Sequence, residues 1–119
     1  MKRVAIVAGL RTHLIKAWTD FGQIPAHDLG ALVVRELLER LDLRPELINE
    51  VIMGNIAQPP EATNVARIIA LQAGIPQSVP AFTVQRNCAS GMEAIANAWY
   101  RIQAGAGEIY LAGGAGTRC

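Results

Sequence analysis

Cysteine is scarce in this 119-residue chain: Cys88 and Cys119 are the only two. A pair with no CxxC spacing makes no disulfide framework and argues against a zinc site. Charge is equally thin. Lys and Arg total 11, Asp and Glu total 10, and the net charge is +1. The longest basic feature is Lys2-Arg3, so the clustered positive charge that nucleic acid or an anionic membrane surface requires is missing. No apolar run is long enough to span a bilayer. A signal peptide would need a longer apolar core than Val4 to Leu10 and a small-residue cleavage site, but Arg11, His13 and Lys16 follow instead. Internal repeats, low-complexity tracts and Pro/Gly/Ser-rich linkers are also lacking. Residues 1–119 therefore read as one unit, and the expectation is a soluble protein of a reducing compartment, the cytoplasm.

What the chain does have is apolar residues, 51% of the total, enough to bury a core. They fall into an alternation of strand and helix patterns. Val4-Ala5-Ile6-Val7-Ala8 is a continuous apolar run that suits a parallel strand covered on both faces. Leu10 to Gln23 has no sustained period and reads as a loop. Pro25 pre-sets a helical backbone angle and Asp28 falls in the first turn, where negative charge is favoured. Leu29, Leu32, Val33, Leu37 and Leu41 then recur at helical spacing, ending before Pro45. Residues 51–56 form a second strand pattern, and 58–61 a loop. Thr63 or Asn64 can cap a helix to about Ala73, with Gly74 placed to end it. Residues 81–84 form a third strand, a helix runs from near Cys88 to about Ala104, and residues 109–112 form a fourth strand. The order β-α-β-α-β-α-β indicates an α/β fold. The helix after Cys88 is apolar around most of its girth, with Glu93, Asn97 and Arg101 on one narrow stripe. That composition predicts burial on several sides, as for a helix held between two sheets.

Cys88 stands where a strand gives way to this helix. The first turn of a helix carries partial positive charge and N–H groups without intrahelical acceptors. Both favour a thiolate over a thiol. The same N–H groups suit an oxyanion formed on an attacked carbonyl. Ser90 and Gly91 keep the first turn small enough for a substrate to approach.

The segment Asn87-Cys88-Ala89-Ser90-Gly91-Met92-Glu93-Ala94-Ile95 resembles the acyl-enzyme motif of the thiolases, a cysteine followed by x-Ser-Gly and a small-residue helix. Further matching pieces lie in order along nearly the whole chain. They are Val4 to Val7 with Arg11-Thr12, Asp28-Leu29-Gly30, Val51-Ile52-Met53-Gly54-Asn55, Asn64-Val65-Ala66-Arg67, Ala73-Gly74-Ile75-Pro76 and Leu111-Ala112-Gly113-Gly114. The resemblance implies a thiolase N-terminal unit with a buried central helix. It implies an acyltransferase that cleaves 3-ketoacyl-CoA, or runs the reverse condensation, through an acyl-cysteine on Cys88. No bound cofactor or metal is implied; acyl-CoA and CoA are the substrates. Arg11, Thr12 and Lys16 to Phe21 are most like the β-oxidation thiolases, and residues 82–84 resemble the family's dimer-edge strand, so a homodimer or larger assembly is implied for the full-length form.

The match has departures. The family's second cysteine and its histidine occur in Cys-x-Gly and Gly-His-Pro contexts, and neither context is present. His13, which replaces the usual proline after Arg-Thr, and His27 read as loop or surface histidines. Cys119 lacks the Cys-x-Gly context and reads as non-catalytic. After Gly114 the family continues with an acidic residue, Ser and Met, whereas this chain reads Ala115-Gly116-Thr117-Arg118-Cys119, the pattern of a truncated reading frame. Asn64 and Arg67 read either as residues near the reactive cysteine or as a cap and a surface charge. Trp99 reads as core. Gly113-Gly114 lacks the residues of a phosphate loop. Besides a thiolase, the residues admit a non-catalytic truncated remnant or dimerising fragment and a condensing enzyme of the ketoacyl-synthase type. The latter usually follows its cysteine with a serine-rich stretch rather than Gly91-Met92-Glu93.

Overall fold

The computed structural model describes residues 1–12 and 24–116. Three strands form one parallel sheet: β1 (Glu50–Gly54), β2 (Ala81–Val84) and β3 (Tyr110–Gly114), in the order β2-β1-β3. The helices are α1 (Ala26–Leu41), α2 (Val65–Gln72) and α3 (Ser90–Gln103), with short 3-10 turns at Pro45–Leu47 and Pro60–Ala62. Parallel strands need a covered crossover, and the helices supply it on both faces. The central strand shows the division plainly. Val51 and Met53 pack with Val34, Leu38, Val65 and Ile69 of α1 and α2, whereas Ile52 packs with Ala94 and Ala98 of α3. Successive strand side chains point to opposite faces, so this run of buried residues serves two cores.

The helix signals place most boundaries within two residues. Asp42, in the left-handed region at φ 49°, ends α1 and donates its N–H to the carbonyls of Glu39 and Leu38. Gly74, at φ 90°, follows the end of α2. The buried face of α1 is offset from the expected leucines: Gly30, Ala31, Val34 and Leu38 are buried, while Leu32 is 60% exposed. The cause is close helix approach. A side chain at Gly30 would meet Ile69 Cδ1 at 2.5 Å, so α1 turns its small residues toward α2.

Two expectations are corrected. Residues 4–8 are not a strand: they have no ladder partner among the described residues, and Ile6 and Val7 are more than 80% exposed. Both sides of the central strand are already taken by β2 and β3. The segment is instead tied at its start, where Lys2 N–H donates to Gln103 Oε1 (2.9 Å) and Gln103 Nε2 donates to the Lys2 carbonyl (2.6 Å). A continuous apolar run signals a wish for burial but not which element provides it. Likewise α3 is buried on one face only. Ser90, Ala94 and Ala98 are buried against the sheet, while Met92, Ile95 and Tyr100 are exposed. No second sheet lies over that outer face among the described residues.

What seats α3 is glycine. A methyl group on Gly54, at the end of β1, would lie 2.3 Å from the Ser90 carbonyl and 2.7 Å from the Gly91 nitrogen. On the neighbouring strand, a methyl on Gly114 would lie 3.2 Å from the Gly91 Cα. The helix start therefore rests backbone against backbone on two strand ends.

At the opposite end of the sheet, Arg101 of α3 pairs with Glu50 (3.2 Å) and lies 4.7 Å over the Phe82 ring. Burial, and then the Glu50 carboxylate, push the pKa of the adjacent Tyr110 phenol above its ordinary value, with Arg101 opposing.

Gly54→Ala should destabilise the fold by about 1–3 kcal/mol or more, the range for overpacking. Gly116→Ala, where a methyl meets nothing within 4 Å, should stay within about 0.5 kcal/mol of wild type in urea unfolding. Because the folded state holds the Tyr110 proton more tightly than the unfolded chain does, its contribution is intact below about pH 10 and lost as pH rises through the folded value. Tyr110→Phe should therefore shallow the alkaline fall in unfolding free energy, and an unchanged alkaline slope would contradict this.

Candidate active site

The chain leaves β2 at Val84 and enters α3 at Ser90, so a five-residue turn, residues 85–89, carries Cys88. The helix begins two residues later than the cysteine, which makes Cys88 a flanking residue rather than the helix start expected. Asn87 explains the offset. Its φ of 49° places it in the left-handed region, which asparagine tolerates better than most residues. That reversal turns the backbone sharply just before the thiol, and Cys88 is exposed at the tip. Ala89 caps the helix without a side-chain bond, so no side chain occupies the N-terminal end of α3 next to the cysteine turn.

The turn is held by Ser90. Its hydroxyl is buried, donates to the Asn87 carbonyl (2.6 Å) and accepts from the Arg86 N–H (2.7 Å). Backbone bonds reinforce it: Ala89 N–H to the Arg86 carbonyl (3.0 Å) and Ser90 N–H to the Asn87 carbonyl (3.1 Å). Gln85 Oε1 accepts from the Asn87 N–H at 2.7 Å. Outside the turn, Arg86 pairs with Glu93, and Asn97 Nδ2 donates to Glu93 Oε2 (2.8 Å). The polar stripe of α3 is thus a brace running from the cysteine turn along the helix. Its far member, Arg101, serves the other end of the sheet.

Behind the turn lies Asn55, 3% exposed. Its N–H donates to the Val84 carbonyl (3.1 Å) and its Nδ2 to the Ala115 carbonyl (2.6 Å). Ala115 in turn donates to the Gly54 carbonyl (2.9 Å). Asn55 therefore joins the carboxyl ends of all three strands. In open α/β sheets that edge is where ligands bind.

The remaining candidates separate cleanly. Asn64 and Arg67 are structural. Asn64 Nδ2 donates to the Ala81 carbonyl (3.1 Å), and Arg67 binds the carbonyls of Val79 (2.8 Å) and Gln77 (3.0 Å). The helix cap is supplied from β2: Thr83 Oγ1 accepts from the Ala66 N–H (3.0 Å) and donates to Asn64 Oδ1 (2.8 Å). His27 lies on the α1–α2 side of the sheet, 3.2 Å from both Gln72 Oε1 and Asp28 Oδ1, away from α3 and Cys88. Trp99 is half-buried and meets the Tyr100 ring edge-on at 5.5 Å. Arg11 donates to the Thr12 carbonyl (2.9 Å) in the N-terminal segment. His13, residues 16–21 and Cys119 lie outside the described residues. The small size of Ser90 is readable from the sequence, but its two hydrogen bonds are not. Asn55 is legible only as part of the Val51-Ile52-Met53-Gly54-Asn55 match and of the strand pattern at 51–56, and nothing in the sequence signals its bond to Ala115.

Comparison with known proteins adds an independent line. The family described as "Thiolase, N-terminal domain" matches residues 4–117. The chain is 48% identical over 113 residues to a 3-ketoacyl-CoA thiolase of Pseudoalteromonas translucida, covering 95% of this chain and 26% of that protein. It is 44% identical to a probable acetyl-CoA acyltransferase of Staphylococcus epidermidis, covering 96% of this chain and 29% of that one. The crystal structure of the Bacillus anthracis acetyl-CoA acetyltransferase superposes with a TM-score of 0.75 at 38% identity, covering 79% of this chain and 24% of that one. The chain thus spans about a quarter of the length of these relatives.

Ser90→Ala removes the partner of a backbone N–H and a backbone carbonyl in the turn, and should cost about 1–3 kcal/mol. Amide hydrogen exchange at Arg86 should accelerate in that variant more than exchange in the core strand β1. Equal protection of Arg86 in both proteins would show that the hydroxyl does not hold the turn.

Proposed function

Since the chain belongs to the thiolase family, by its N-terminal domain, we propose that Cys88 is its acyl-accepting nucleophile. The observation that carries the reading is the exposed thiol at the tip of a braced strand-to-helix turn, beside the N–H groups that open α3. In the degradative direction the Cys88 sulfur attacks C3 of a 3-ketoacyl-CoA. The C2–C3 bond breaks, its electron pair stays with C2, and that carbon takes a proton to leave as acetyl-CoA. The thiol of a second CoA then attacks the acyl-cysteine and restores the free sulfur. N–H groups of the first helical turn other than that of Ser90, which binds the Asn87 carbonyl, stabilise the oxyanion at each attack. Similarity to the 3-ketoacyl-CoA thiolases supports a role in β-oxidation, with acyl-CoA and CoA as substrates and no bound cofactor. Among the described residues β2 is an edge strand of the sheet, which suits the homodimer or larger assembly proposed for a full-length form.

Two steps move protons, and the sequence contains neither the Gly-His-Pro nor the Cys-x-Gly context that would supply a base and acid. His27 is engaged on the other side of the sheet. Among the described residues the site therefore consists of its acyl-accepting half. General acid–base catalysis contributes roughly 10²–10⁴-fold, so this polypeptide alone is expected to accept acyl groups but to turn over little. That position, between enzyme and non-catalytic remnant, is testable. Incubation with acetyl-CoA should add the mass of one acetyl group at Cys88, read by intact and peptide mass spectrometry, and Cys88→Ala should abolish it. Absence of any acylation would sink the nucleophile assignment. Robust cleavage of acetoacetyl-CoA in the presence of CoA, lost in Cys88→Ala, would sink the half-site reading.

A further inference from the structure

We infer that Asn55 is a positioning residue for Cys88, kept at a cost to the fold; this rests on the nucleophile reading above. Asn55 is 3% exposed, and its Oδ1 is buried with no hydrogen-bond donor among the described residues. The amide orientation is set by Nδ2, which donates to the Ala115 carbonyl at 2.6 Å, so the unpartnered atom is the oxygen. A buried acceptor left without a donor is destabilising, and an apolar side chain of similar volume at the centre of a sheet edge would avoid that burden. What the amide contributes instead is geometry. The backbone N–H of residue 55, whatever its side chain, takes the carbonyl of Val84, the last residue of β2, from which the cysteine turn departs. Its side chain takes Ala115, whose N–H returns to Gly54, and Gly54 is the seat against which the Ser90 and Gly91 backbone rests. Ser90 then holds Arg86 and Asn87 on either side of the bend. The Asn55 side chain thus acts on the support after the turn, the strand ends on which the helix start rests, while its backbone joins the strand end before the turn.

Asn55→Leu separates the two contributions. It removes the unpartnered oxygen and the Ala115 tie together. The expected result is an unfolding midpoint equal to or above wild type, with Cys88 acylation by acetyl-CoA slowed roughly tenfold to a hundredfold, the scale of small misplacements of a reacting group. The measurement is made in a Cys119→Ser background. Wild-type acylation rate in Asn55→Leu would overturn the inference. Asn55→Asp is the second arm and guards against a leucine variant that does not fold. Its carboxyl can donate to the Ala115 carbonyl only when protonated. The ratio of its acylation rate to that of wild type should therefore fall as pH rises, whereas a pH-independent ratio would overturn the inference. Iodoacetamide alkylation of Cys88 is run in parallel. If wild type alkylates at Cys88 but never acylates, the nucleophile reading fails on its own. In that case the Asn55→Leu alkylation rate decides the positioning role: slowed supports it, unchanged overturns it.

Discussion

The contact on which the rest of this structure depends is the backbone approach of α3 to the ends of β1 and β3. Helix and strands meet there through Gly54, Gly91 and Gly114, with no side chain between them. That proximity places the first turn of the helix directly on the carboxyl edge of the sheet. It leaves the five residues before α3 no room to spread, so the chain must reverse sharply, and Asn87 takes the left-handed backbone that a sharp reversal demands. The cysteine is exposed because the turn beneath it is tightly filled. Any side chain at Gly54 would lift the helix and slacken the bend, so a glycine on a neighbouring strand governs the presentation of the thiol.

Much of this was legible from residue pattern. Strand β2 and the helices α1 and α2 follow from apolar spacing, proline and glycine placement, and the left-handed cap after α2. The turn bearing Cys88 was recognisable from the small residues after it, and the family from the order of its motifs. What stayed hidden was contact between segments distant in the chain. Gly30 against Ile69 rotates α1 away from its leucine stripe, and no periodicity within α1 encodes that. Asn55 reaches Ala115 across sixty residues, and Glu50 reaches Arg101 across fifty-one. The two overestimates, a strand at 4–8 and a helix buried on several sides, share one cause. Both segments are apolar enough to be buried, yet burial requires a neighbour that local pattern does not name.

The site itself divides along the same line. The Cys88 thiol and the helix after it are carried by contiguous sequence, residues 84–97, and could be read there. Its supports come from β1 and from the segment after β3, and only the assembled sheet brings them in. Proton handling is a separate matter. His27, the one histidine among the described residues, is bound into the α1–α2 layer by Gln72 and Asp28.

The hydroxyl of Thr83 carries a meaning beyond capping. It sits in the middle of β2, yet it completes the start of α2 by binding Ala66 and Asn64. Strand side chains alternate between faces, so a slip of β2 by one residue against its neighbour would swing Thr83 to the α3 side and leave α2 uncapped. This one hydroxyl therefore acts as a check on alignment: only the correctly zipped sheet is rewarded with a finished helix. Since Cys88 lies four residues beyond the strand's end, the same check fixes how far along the sheet edge the thiol is delivered.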